Sequence, residues 1–131
     1  MAPAFETVTC DGDLLFSQDD LLAFDWDEQR MTLTSAAQRR MSGMESAALH
    51  NAGLAFALCL DDGVIYAGVL WSALSSVPYP GVVIDLHPAR DGEVLPVMLG
   101  YPEGLYPDLM DVRFDDLLFE TLQQLGVLNP S

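Results

Sequence analysis

Lysine is absent. The only cations are Arg30, Arg39, Arg40, Arg90 and Arg113, set against 20 Asp and Glu, for a formal net charge of -15 over 131 residues. A surface so poor in cations repels phosphate backbones, which excludes nucleic acid as a partner. It repels anionic membrane surfaces in the same way. No run of about 18 apolar residues exists, so no membrane insertion is expected. The start, Met-Ala-Pro-Ala-Phe-Glu, lacks the charged and apolar regions of a signal peptide. The location is cytoplasmic as written, and periplasmic or secreted if a leader has been removed.

Cysteine is scarce. Cys59 sits inside an apolar run and reads as a small buried hydrophobe, while a disulfide with Cys10 is an option only in an oxidising compartment. No His-x-x-x-His or Cys-x-x-Cys spacing is present, so zinc is not expected. The dense N-terminal acids, Asp11, Asp13, Asp19, Asp20, Asp25, Asp27 and Glu28, lack the spacing of a calcium loop and read as turn and cap residues. No cofactor is expected. Neither a Walker lysine nor a Gly-x-Gly-x-x-Gly occurs, and Ser75-Ser76 has no flanking glycine to make a nucleophile turn. His50 reads as a helix-end residue and His87 as part of a turn beside Asp85 and Asp91. The balance of residues is against an enzyme.

What is present is apolar sequence: half of the residues are hydrophobic, enough for one globular domain over 1–131. The centre is a hairpin at 54–71, in which two apolar runs flank Asp62-Gly63, the dipeptide a tight hairpin turn prefers. The alternating stretches 5–10 and 30–34 read as strands, as do 81–86 and 93–99. Ser17 with Asp20, and Phe16 with Leu21, read as the cap and staple of a short helix over 18–24. Ser35 and Gln38 form a capping box for a second helix bearing Ala37, Met41, Met44 and Ala48, with Asn51-Ala52-Gly53 as its exit. The segment 72–80 is a polar connection, and 100–108, with Pro102, Gly104 and Pro107, is a loop. Asp111 caps a third helix bearing Phe114, Leu117, Leu118, Leu122 and Leu125, stopped by Gly126 and followed by Pro130. The expectation is an α+β fold: a mainly antiparallel sheet of five to six strands and three helices, in the order β-α-β-α-β-β-β-β-α.

Several of these stretches carry a family likeness. Leu33-Thr34, the following helix with arginines and methionines, Asn51-Ala52-Gly53-Leu54, the run from Phe56 to Ile65 and the turn Leu74-Ser75-Ser76 resemble the extracytoplasmic head domain of SecD-type translocase subunits. The tail from Leu122 to Pro130 is similar to the helix and exit that close that region. The chain departs from the family in lacking membrane helices and in having Ala67-Gly68-Val69 where a proline is usual. The resemblance implies a fold and contact with polypeptides outside the cytoplasm. It carries over no catalytic residue, because those heads are not enzymes.

The aromatic residues give the binding candidates. Tyr79, Tyr101 and Tyr106 stand beside prolines, and Trp26 lies among Asp25, Asp27 and Glu28; Tyr and Trp are enriched where partners dock. The leading expectation is a non-enzymatic acidic protein-binding module, such as an immunity or inhibitor protein that meets a basic partner. The alternatives are a SecD-head-like or chaperone-like secretion accessory domain and, unsupported by any motif, a small hydrolase that a histidine beside an acid would revive. A homodimer would follow if one face of the central hairpin lacked cover.

Overall fold

The computed structural model describes residues 4–9, 11–51, 53–61, 63–72, 78–91, 94–101 and 106–129. Of the residues used above, Cys10, Ala52, Asp62, the Leu74-Ser75-Ser76 turn, Pro102, Gly104 and Pro130 lie outside that set. The strands are β1 (Phe5–Thr9), β2 (Leu14–Ser17), β3 (Leu21–Asp25), β4 (Arg30–Leu33), β5 (Leu54–Leu60), β6 (Gly63–Trp71), β7 (Tyr79–Asp85), β8 (Leu95–Tyr101) and the two-residue β9 (Leu128–Asn129). They form one sheet in the order β2-β1-β5-β6-β7-β8-β4-β3-β9. Pairing is antiparallel except for β6 with β7 and β3 with β9, which run parallel. The helices are α1 (Ser35–Ser42), α2 (Glu45–His50) and α3 (Asp116–Leu125). Gly43 and Met44 separate α1 from α2, so the second expected helix is one helical segment broken in the middle.

The fold is α+β, but the expected five to six strands and three helices in the order β-α-β-α-β-β-β-β-α do not hold. Among the described residues nine strands form one mixed sheet, no α-helix forms over 18–24, and α1 and α2 together stand for the second expected helix. The clearest correction is at 18–24. The cap forms as its residues dictate: Ser17 Oγ accepts from Asp19 N at 3.3 Å and Asp20 Oδ2 accepts from Ser17 N at 3.1 Å. It closes only a single 3-10 turn, Gln18–Asp20, and the chain then extends into β3. Leu21 and Phe24 are both buried, a spacing that mimics a helical face. A bulge between Leu21 and Ala23 produces that spacing within a strand, because the extra residue resets which side chains face inward. Leu14–Ser17, read as the approach to a helix, is itself a strand paired with β1. Caps also shift: Thr34 Oγ1 caps α1 through Ala37 N at 3.3 Å, and Asp115 rather than Asp111 caps α3 through Leu118 N at 3.0 Å.

The central hairpin forms, with its turn one residue earlier than expected. Leu60 faces Gly63, so Gly63 opens β6 instead of lying in the turn, and Asp61 adopts φ 49°. Asp61 also extends the β1 pairing, accepting from Ala4 N at 2.7 Å. The register places Glu6 opposite Cys59 and Thr9 opposite Phe56, so the last described residue before Cys10 is three positions from Cys59 along β5. Gly68 is required by close packing: a Cβ there would lie 2.1 Å from the Val82 carbonyl oxygen across the parallel pair.

The sheet curls on itself. Its first strand in spatial order, β2, is joined to its next-to-last, β3, by only three residues. A link that short spans at most about 14 Å, which brings the two ends of the sheet together. Helix α1 lies over this seam, where Arg40 donates to the Leu15 carbonyl at 3.2 Å and to Asp20 at 3.0 Å. The enclosed core holds Phe5, Phe16, Phe24, Met31, Leu58, Leu70, Ile84 and Leu95, with Met41 from α1 and Leu118 and Leu122 from α3. The hairpin contributes Phe56, Leu58, Tyr66 and Leu70 to that core, while Ala55 and Ala67 are exposed on its other side. Val64, opposite Cys59, is also exposed, by 62%, so this side carries one large apolar side chain among small ones.

Candidate binding surface

Three groups of polar and aromatic side chains stand out. The first is the β3–β4 turn. Glu28 N donates to Asp25 Oδ1 at 3.2 Å, and Gln29, at φ 53°, donates from Nε2 to the Trp26 carbonyl at 2.8 Å. These bonds fix a turn that carries Asp27 and Glu28 into solvent and leaves Trp26 half-buried. Trp26 stacks against Phe24 at 5.8 Å, Phe114 at 5.5 Å and Phe119 at 5.2 Å, the last two nearly edge-on. Edge-to-face pairs contribute roughly 0.5–1.5 kcal/mol each beyond area burial, so the indole is held in place. The sequence brought Trp26 and its acids together by adjacency alone.

Residues the sequence reading assigned elsewhere complete this surface. Before and along α3, Met110, Val112, Phe114, Leu117 and Phe119 are all exposed, Met110 by 82%. Acids alternate with them: Asp108, Asp111, Asp115, Asp116 and Glu120, against Arg113 alone. That arginine is already engaged. It donates to both oxygens of Asp111, at 2.9 and 2.7 Å, to the Val97 carbonyl at 2.7 Å, and lies 5.5 Å from the Phe114 ring centroid. Its bidentate hydrogen bonds hold the Asp111 carboxyl below the usual carboxylate range. The signal was legible in the Met110-x-Val112-x-Phe114 alternation, which the helical stripe that follows obscured.

The tyrosines form a second group. Tyr79 and Tyr101 lie within β7 and β8, not in loops, and face each other across the ladder. Both pack on Trp71, at 6.0 and 5.9 Å. Tyr106 covers Gly100, whose φ of 81° and lack of Cβ admit the ring. All three are half-buried.

The third group was missed. At the carboxyl ends of the parallel strands β6 and β7, Glu45 of α2 accepts from Ser72 Oγ at 2.6 Å and pairs with His87 Nδ1 at 2.8 Å, both through Oε2. Asp85 accepts from His87 N at 3.0 Å. Glu45 is 7% exposed and Ser72 1%. An acid beside His87 was foreseen only as a short-range turn contact; the actual partner is 42 residues away. Through Oε2 the Glu45 carboxylate ties α2 to the end of β6 and to the turn after β7. His50 is occupied differently, with Nδ1 3.0 Å from the Ser46 carbonyl of its own helix. Among the described residues, no three His, Cys, Asp or Glu converge on a metal position.

Comparison with protein-family models, with curated proteins and with solved structures finds no match.

Proposed function

We infer that this chain is an acidic protein-binding module that engages a basic protein partner through the surface around Trp26. The observation that carries this reading is the indole itself. It is half-buried, fixed edge-on by Phe114 and Phe119, and flanked by Asp25, Asp27 and Glu28. A rigid aromatic inside a polar, charged rim is the usual anatomy of a docking centre. An immunity or inhibitor role is the concrete form of the proposal, since a net charge of -15 would steer a basic partner toward the surface. Tyr79, Tyr101 and Tyr106 take a supporting place here, because their rings pack on Trp71 and over Gly100.

The test uses a lysine- and arginine-rich amphipathic peptide as the probe, with affinity measured across a salt series. Affinity falls with rising salt, and the triple variant D25N/D27N/E28Q flattens that dependence and weakens binding about tenfold at low salt. A triple variant that binds with wild-type affinity and salt slope sinks the proposal.

A further inference from the structure

The exposed apolar residues of 110–119 define the shape of the partner as well as its charge. Resting on the Trp26 reading, we propose that the ridge of Met110, Val112 and Phe114, continuous with Trp26 through the Phe114 ring, is the seat of a cationic amphipathic helix of the partner. Its apolar stripe lies on the ridge and its cations meet Asp108, Asp115, Asp116 and Glu120.

Phe114 is in edge contact with Trp26 at 5.5 Å while remaining exposed, and the exposed Val112 and Met110 lie two and four residues before it. Met110 and Val112 alternate with Asp111 and Arg113, whose side chains pair with one another and reach the Val97 carbonyl. That anchoring fixes the backbone of a segment that has no regular structure of its own. Exposing three large apolar side chains in so short a stretch, on fixed backbone, is what a docking strip needs and what a solvated loop avoids. Charge then selects the occupant. Asp108, Asp115, Asp116 and Glu120 have no cation among their own sequence neighbours except Arg113, and that arginine is bound to Asp111. A second copy of this chain would bring another -15 to the same surface, so self-association through the ridge is opposed by like charge. A helix with arginine or lysine beside its apolar stripe satisfies both the ridge and its rim.

The test compares two peptides of about 18 residues, long enough for five helical turns. One places leucine and arginine so that the apolar stripe is continuous; the other has the same composition scrambled. Binding to the full chain is followed by the change in its intrinsic fluorescence, to which Trp26 and Trp71 both contribute. The wild type binds the striped peptide at least about tenfold more tightly than the scrambled one, a difference of about 1.4 kcal/mol. M110S/V112S removes that preference while leaving the weaker, charge-driven binding of the scrambled peptide within about twofold. Equal affinity for both peptides, or an unaltered preference in M110S/V112S, overturns the proposal. So does a dimer in sedimentation that M110S/V112S dissolves. D25N/D27N/E28Q keeps the two readings apart. If that variant loses binding and M110S/V112S does not, the ridge proposal fails and the Trp26 reading stands. If it binds both peptides as the wild type does, the Trp26 reading itself has failed.

Discussion

Glu45 and the carboxylates around Trp26 are the same chemistry put to opposite uses. Glu45 is removed from water and held by Ser72 and His87, two groups from distant parts of the chain. Asp27, Asp116, Glu120 and Glu28, the last 3.7 Å from Arg30, are exposed, with exposed apolar side chains near them in sequence. Taking a carboxylate out of water costs several kcal/mol and is tolerated only when hydrogen bonds replace the lost hydration. A carboxylate left in water contributes little to the fold and keeps its field available to an approaching cation. The difference teaches where to look for function in an acidic protein: the buried acid braces the architecture, and the solvated acids, gathered round a fixed indole, face outward.

The largest effect is expected at the brace. Glu45→Ala removes the buried carboxylate that both Ser72 Oγ and His87 Nδ1 bond, and is expected to lower unfolding free energy by about 3 kcal/mol. Urea denaturation measures this, and a loss under about 1 kcal/mol would mean that Glu45 is no brace. Trp26→Ala sharpens the contrast from the other side. It is expected to reduce affinity for the basic peptide by about tenfold or more, with a stability loss of about 1–2 kcal/mol from its aromatic contacts. A variant that unfolds but binds normally when folded would reverse the roles assigned to the two regions.

Two smaller effects probe a buried hydroxyl and a paired surface acid. Tyr66 is buried, its hydroxyl has no hydrogen-bond partner among the described residues, and burial pushes its ionisation well above the ordinary phenol range. Tyr66→Phe removes that unmet hydroxyl and is expected to leave stability unchanged or raise it by up to about 1 kcal/mol, read as a shift in the urea midpoint. Asp111 is a paired surface acid. Its folded pKa is depressed by Arg113, so the pair stabilises the fold above the unfolded carboxylate value of 3.8 and loses that contribution as pH falls below it. Asp111→Asn should therefore cost less than about 1 kcal/mol at neutral pH, given solvent screening, and the gap from wild type should narrow on acidification below about pH 4. A gap that widens on acidification would place the stabilising interaction elsewhere.

Much of this could be read from local sequence, and the misreadings have local causes. The 54–71 hairpin was legible because two apolar runs flank a short polar break, although Gly63, expected in the turn, opens β6. Helix α3 was legible because Leu118, Leu122 and Leu125 recur on one face, and Gly126 does stop it, at φ 74°. Strand β3 was misread because its bulge gives Leu21 and Phe24 the spacing of a helix. The β3–β4 turn announced itself through Trp26 among three acids. Glu45, Ser72 and His87 could not be joined from sequence, since each looks ordinary where it stands and only the parallel pairing of β6 with β7 brings them together.

The pairing of β3 with β9 has a consequence for how the molecule is made. Phe24 is matched with Leu128, so a strand laid down early in synthesis waits for a partner near the far end of the sequence. Contacts that distant must close a long loop before they yield any stabilisation, which slows folding. During translation the edge of β3, with Phe24 beside it, stays open until residue 128 has left the ribosome. Until then the outer edge of β3, whose other edge pairs with β4, is open to a chaperone or a misplaced neighbour.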